Sequence, residues 1–230
     1  MKGYTINSYY IWGSDKMSDI KTIYHGSIEI VQKPKYKAGK TDNDYGMGFY
    51  CTEDNRAGSL WSVNKGKDGY NNKYEINIDG LKILNLDQDS ILLWMAILLN
   101  NRIPDNLNNF KNSIRLDFIE KYLNIDVTDY DVVIGYRADD SYFRIADGFL
   151  GNQITYEVLK EALHLGTLGK QFVLISEKAF QKIKYINSEI CLTSDHYEEY
   201  KNNDIRARNS FEDLSRRSFY SKGKTIRDFL

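Results

Sequence analysis

The sequence is poor in cysteine, proline and histidine. Its 230 residues include 2 Cys, 2 Pro and 3 His. Cys51 and Cys191 stand far apart, which fits neither a disulfide framework nor a zinc-ligand spacing. They read as reduced thiols of a cytoplasmic protein. His25, His164 and His196 show no HExxH or HxxxH spacing, so no metal site is expected. With only Pro34 and Pro104, collagen-like and proline-rich linker architectures are excluded. No sign of charge dominates either. The 31 basic residues meet 32 acidic ones, and the net charge of −1 gives no global field for unspecific attraction to nucleic acid or membrane. Long apolar runs are also missing. The longest, residues 91–99, is too short to span a bilayer. Residues 1–16 are polar and lack the cleavage pattern of a secretory signal.

What is present is the composition of a folded domain. The hydrophobic fraction of 42% and charged fraction of 27% exclude wholesale disorder. The length suits one domain, or one plus a short appendage, and can bury a core without covalent staples. Residues 1–16 differ in character from the segment that Met17 opens and are set aside as an extension, tag or extra strand. Residues 17–200 are taken as the domain, and 201–230 as a basic helical segment packed on it. That last segment holds eight Lys or Arg against four acids.

Periodicity and turn residues predict the elements between. Strands are expected at 20–25, 28–31, 73–78, 82–86, 131–136, 172–176 and 184–193, with 73–78 and 82–86 flanking the turn at Asp79-Gly80. Residues 45–52 read as a turn feeding a strand, and 64–72 as a loop. A helix at 54–63 has Thr52 or Asp54 as its cap. A second, at 87–102, is capped by Asp89 or Ser90, is apolar nearly all round and stops at Pro104, so it should be buried. Others are expected at 114–123 and at 155–165, capped by Thr155 and closed by Gly166. A single turn capped by Ser176 covers 177–181.

Three features carry chemistry. His25-Gly26-Ser27 closes a strand, and a glycine there lets a ligand approach the backbone. Gly46-Met47-Gly48-Phe49-Tyr50 turns into a strand, and Trp61 follows on the next helix, so Tyr50 and Trp61 could sandwich a flat ring. Gln171 stands immediately before the strand FVLIS. Taken singly, each has an ordinary reading, since strand-end histidines are usually satisfied, glycine-flanked aromatics usually core, and glutamines usually solvated.

Taken in order, YHGS, YGMGFYCTEDNRAGSLW and KQFVLIS resemble the ADP-ribosyltransferase superfamily, in the His-Tyr-Glu branch of diphtheria toxin and the poly(ADP-ribose) polymerases. The chain most resembles a bacterial family, domain of unknown function 3990, of that superfamily, and GYRADDSYF at 135–143 adds to the likeness. The resemblance spans about residues 20–210. It implies an α+β fold, a split β-sandwich of two mostly antiparallel sheets with flanking helices and NAD in the cleft between them. It implies that His25 bonds the adenosine-side ribose, that Gly26 holds the nicotinamide carboxamide through N–H and C=O, and that Ser27 bonds the carboxamide by its hydroxyl. Gly48 would belong to the same binding loop, and Tyr50 and Trp61 would stack on nicotinamide. Arg137 beside Asp139 and Asp140 reads either as a local salt-bridged turn or, functionally, as Arg137 meeting a cofactor phosphate or the acceptor with Asp139 or Asp140 orienting a nucleophile. The acceptor loop of the superfamily would fall at 144–170, making Arg144, Asp147, Phe149 and Asn152 acceptor contacts.

The departure is Gln171, which stands where the branch has Glu. Its carbonyl accepts a hydrogen bond but supplies neither charge nor a general base. Three outcomes stay open: mono-ADP-ribosyl transfer driven by orientation, substitution by Asp139, Asp140 or Glu177, or NAD binding without turnover. The function implied is a mono-ADP-ribosyltransferase acting from NAD on a protein or nucleic acid, as a bacterial toxin with a separate antitoxin. The alternatives are an inactive NAD- or ADP-ribose-binding module and a ligand-free partner protein. The basic segment with Tyr200, Phe211, Phe219 and Tyr220 interleaved would suit nucleic acid.

Overall fold

A computed structural model of the chain describes residues 19–86, 91–103, 108–138, 140–164, 169–220 and 222–230. The expected extension at 1–16, the caps Asp89 and Ser90, the stops Pro104 and Gly166, and Asp139 lie outside them. So do the side chains of Asp140, Phe211, Phe219 and Tyr220.

The described residues form an α+β fold of two mostly antiparallel sheets and seven α-helices. In chain order these are β1 (Ile20–Ser27), β2 (Phe49–Cys51), α1 (Asn55–Ser62), β3 (Gly69–Asn77), β4 (Ile83–Asn85), α2 (Ile91–Asn101) and α3 (Asn109–Tyr122). Next come β5 (Val132–Tyr136), α4 (Asp140–Leu150), α5 (Tyr156–His164), β6 (Lys170–Leu174), α6 (Glu177–Gln181), β7 (Ile183–Cys191) and α7 (Thr193–Tyr220). One sheet has the order β1-β3-β7 and is antiparallel throughout. The other has the order β2-β6-β5-β4, with only the β4–β5 pair parallel.

Alternation along β6 shows how the layers are sorted. Phe172 and Leu174 join Ile23, Cys51, Tyr74 and Ile76 in a core reaching both sheets. Val173, between them, turns to the opposite face and joins Trp94, Ile97 and Leu98 of α2, Phe149 of α4 and Leu159 of α5. The all-round apolar α2 is accordingly buried, with Trp94, Met95 and Leu98 at 1% exposure or less. Asp54 caps α1 by accepting from the N–H groups of Arg56 and Ala57. Cys51 and Cys191 are both buried and unbridged. No helix among the described residues is long and apolar enough to cross a membrane.

Several expectations are corrected. The segments around Asp79-Gly80 are not a hairpin: β3 belongs to one sheet, and β4 pairs in parallel with β5 in the other. Gly80 does adopt a left-handed φ of 68°, so the turn is real, but it hands the chain between sheets. Residues 28–31 form no strand; Ile28 and Ile30 are exposed, and Val31 is held by side chains, its N–H donating to Asn72 Oδ1 and its carbonyl accepting from the Tyr74 hydroxyl. The loop expected at 64–72 gives way at Gly69 to β3, where buried Asn71 and Asn72 find partners on neighbouring elements. The acceptor loop expected at 144–170 begins instead with α4, and α5 comes after a turn. The boundary placed at 200 falls inside one continuous helix, α7.

Candidate functional site

The two sheets meet where β1 runs beside β2. Tyr24 and Thr52 exchange backbone hydrogen bonds at 2.8 and 2.9 Å, and that bridge is isolated. Past it the strands part. His25 spans the opening: its Nδ1 lies 2.7 Å from the carbonyl oxygen of Tyr50. A carbonyl only accepts, so Nδ1 carries the proton, and in the neutral ring Nε2 is left as an acceptor. Burial lowers the imidazole pKa from 6.5, against the opposing pull of the Tyr50 carbonyl. The ring packs on Phe49 with centroids 4.4 Å apart.

Gly26 is two residues beyond Tyr24. In a strand, residues two apart present N–H and C=O to the same edge, so those of Gly26 face β2 where the strands have separated. Continuing the Tyr24–Thr52 register sets Tyr50 opposite them. A side chain here has no room, because a Cβ would lie 2.2 Å from the carbonyl oxygen of Gly58 and 2.6 Å from the N–H nitrogen of Ser62. The close approach seats α1 directly on β1 and delivers Trp61 to the opening.

Tyr50 and Gln171 share a face of the second sheet. Tyr50 pairs with Val173, and Gln171 is one pleat along, opposite Gly135. Such diagonal neighbours have Cα atoms about 7–8 Å apart. The Tyr50 hydroxyl donates to Gly46 O at 2.7 Å and accepts from Tyr45 N–H at 3.0 Å, which fixes the ring. Burial pushes its pKa well up, so the phenol stays protonated. Gln171 is 7% exposed, and its Oε1 is buried with no hydrogen-bond partner. Buried orphan acceptors are uncommon and call for a physical reason.

These residues line one cleft of about 530 Å³. His25 and Gly26 of β1, Tyr50 of β2, Trp61 of α1, Arg137 after β5 and Gln171 of β6 all contribute to it. The guanidinium carbon of Arg137 lies 4.7 Å from the centre of the Trp61 ring, a cation–π contact.

Other expected residues lie elsewhere. Ser27 does not line the cleft; its hydroxyl donates to Glu29 O and accepts from Asn72 Nδ2 at 3.1 Å, which commits it to the strand end. Gly48 serves packing, since a Cβ there would lie 2.6 Å from Val173 Cγ1 and 2.9 Å from Leu174 O. Glu177 is exposed in the first turn of α6, outside the lining. Phe149 is in the core, Asp147 is paired with Lys111, Arg144 is exposed and Asn152 sits in a turn with φ 58°. None of these four lines the cleft.

Sequence reasoning missed Asp44 and Arg102. Asp44 is 6% exposed, accepts from Ala138 N–H at 2.9 Å through Oδ2, and pairs with Arg102 Nη1 at 3.2 Å through Oδ1. Burial raises its pKa, opposed by Ala138 N–H and by the Arg102 charge. The signals available were an acid two residues before Gly46 and a single cation ending an apolar helix.

Comparison with curated proteins and with solved structures finds no match for this chain. Residues 21–185 match the model of the family described as Protein of unknown function (DUF3990), and the chain belongs to that family.

Proposed function

We propose that the cleft binds NAD and that the chain transfers ADP-ribose from it to a macromolecular acceptor. The observation that carries this is the convergence of His25, Gly26, Tyr50, Trp61 and Gln171, from four separate elements, on one cleft. Its volume lies within the range of about 300–1,000 Å³ usual for small-molecule sites. The ADP-ribosyltransferase-like reading of the fold rests on the same convergence, at the split between two mostly antiparallel sheets.

In this reading the nicotinamide carboxamide takes the place of the missing strand, donating to Gly26 C=O and accepting from Gly26 N–H. Its ring stacks on Tyr50 and Trp61, and Nε2 of His25 accepts from the adenosine-side ribose. Gln171 Oε1 accepts from the 2′-hydroxyl of the other ribose, which satisfies an oxygen otherwise without a partner. The glycosidic C–N bond then breaks with its electron pair leaving on nicotinamide. The sugar becomes oxocarbenium-like, the acceptor's lone pair forms the new bond, and the acceptor's proton passes to solvent water. Gln171 contributes a dipole and no charge. Of the two acids in the described lining, Asp42 and Asp44, the second is already engaged through both oxygens. Catalysis therefore rests mainly on orientation.

A toxin held by a separate antitoxin fits this activity and depends on it. The acceptor is a protein or a nucleic acid: Arg208, Arg216 and Arg217 of the basic segment pair with Asp204, Glu212 and Glu161, but exposed pairs of this kind are worth little and the segment keeps an excess of base. The uncharged Gln171 favours a second reading, an NAD- or ADP-ribose-binding module without turnover. Calorimetry with NAD and chromatography of released nicotinamide separate the two. Binding with release supports transfer, binding without release supports the module, and a folded protein that binds no NAD sinks both.

A further inference from the structure

We infer that Asp44 is a positioning residue: with Arg102 it brackets the Ala138 peptide and so sets Arg137 against Trp61. The bracket is closed on both sides of one residue. Asp44 Oδ2 accepts from the Ala138 N–H at 2.9 Å, and Arg102 Nη1 donates to the Ala138 carbonyl at 2.5 Å. The same Nη1 reaches Asp44 Oδ1 at 3.2 Å, so the three groups form a ring of hydrogen bonds. Ala138 is 2% exposed and directly follows Arg137.

Each member of the ring is anchored from behind. Arg102 follows the last turn of α2, most of whose side chains are fully buried, and its guanidinium lies 4.5 Å from the Phe143 ring centre. The Asp44 carbonyl accepts from Asn101 Nδ2 at 3.2 Å. Its neighbour Tyr45 donates its hydroxyl to Tyr136 O at 2.5 Å and accepts from Trp94 Nε1 at 3.0 Å. The end of β5 is thus tied to the core at Tyr136 and Ala138, the residues on either side of Arg137. With both flanking residues held, the Arg137 side chain is directed at Trp61.

A buried carboxylate is costly to desolvate and is kept where it is paired. Here its hydrogen-bond partners hold a loop peptide at a cleft wall, and its charge also attracts Arg137 itself. The consequence for ligand binding rests on the NAD reading: loss of the bracket releases Arg137 from Trp61, so the guanidinium no longer holds the ring in its stacking position and no longer stands at the cleft wall to meet a phosphate. The placement of Arg137 itself does not depend on that reading.

The test is a double-mutant cycle of Asp44→Asn and Arg137→Ala. Its ligand-free readout is the Trp61 indole N–H signal, distinguished from those of the other two tryptophans by Trp61→Phe. The second readout is calorimetric affinity for NAD. Asp44→Asn is expected to shift the Trp61 signal in the direction that Arg137→Ala does. Each single variant should weaken NAD about tenfold, and the double variant no more than Arg137→Ala alone, because residues acting through one another are not additive. Asp44→Glu, which keeps both acceptors, should recover most of the affinity. Should Asp44→Asn not fold, Arg102→Lys keeps the charge, loses the planar fork and is read the same way. An unchanged Trp61 signal in a folded variant, or additive losses of affinity, overturns the inference. Failure of the wild-type chain to bind NAD removes the NAD reading alone, since the ligand-free signal still decides the positioning.

Discussion

The Nδ1–H of His25 reaches the carbonyl oxygen of Tyr50 at 2.7 Å, across two strands that share only the Tyr24–Thr52 bridge. A side chain thus closes the gap where a ladder bond would otherwise lie. The same contact does three things. It fixes the distance between β1 and β2 at the cleft mouth, it selects the tautomer, and it leaves Nε2 as an acceptor. The position immediately after Tyr24 is what makes this possible, since a residue one place earlier pairs backbone to backbone.

That contact sets a pH dependence. His25 has its pKa lowered from 6.5 by burial. Between that ordinary value and the lower folded one, the unfolded chain binds more protons than the folded chain. Stability therefore rises with pH through this window and is lost as pH falls through it. His25→Gln should flatten the dependence of the thermal midpoint as pH falls below the ordinary imidazole value of 6.5, relative to wild type. NAD affinity should hold through that window and fall only as pH drops to the lowered folded-state value and below, because Nε2 is protonated in the folded protein only there, and then donates instead of accepting. Midpoints that track pH identically in the two proteins would show that His25 does not carry the effect.

How much of this was legible in the sequence divides along a physical line. The residues that meet at the cleft, His25, Gly26, Tyr50, Trp61 and Gln171, sit at local features that singly have ordinary readings, and it is their order along the chain, through the resemblance it carries, that picks them out. The buried α2 is legible locally, because an all-round apolar surface has only one place to go. What failed depends on partners far along the chain. Asp79-Gly80 marks a reversal but cannot say which sheet the next strand joins. Asn71 and Asn72 look like loop residues until Asn55, Ser59 and the strand end at His25 supply their hydrogen bonds. Asp44 reads as one more surface acid, and only Arg102 and Ala138, remote in sequence, make it a buried one. Ser27 fails differently, since a hydroxyl beside a polar turn has nearby competitors for its single proton.

Gly26 and Gly48 are separable by mutation. An added methyl at Gly26 meets backbone of α1 at 2.2 and 2.6 Å, which no side-chain adjustment relieves. Gly26→Ala should cost about 3 kcal/mol or more, at the upper end of overpacking, and should displace Trp61 with α1. At Gly48 the nearest atom is a Val173 methyl, with the Leu174 carbonyl behind it at 2.9 Å. Gly48→Ala should cost about 1–3 kcal/mol and leave Trp61 in place. Urea unfolding with tryptophan emission of the folded state reads both effects. Equal changes in emission would mean that α1 is not held by Gly26.

Gln171 offers the sharpest contrast between stability and binding. An unsatisfied buried acceptor costs about 1–3 kcal/mol. Gln171→Leu removes it at similar volume, so the folded state should gain stability by up to that amount while NAD affinity drops. A residue whose removal stabilises the fold and weakens a ligand is held there for the ligand. Gln171→Glu tests the same position from the other side. A carboxyl at this 7% exposed site would have its pKa raised by burial, so the stability of the variant should fall as pH rises above the ordinary carboxylate range. Nicotinamide release should nevertheless increase by about 10- to 100-fold, since a negative charge now faces the developing oxocarbenium. Gln171→Leu that loses stability and binds NAD as wild type does would assign Oε1 a structural partner and leave the cleft without its central acceptor.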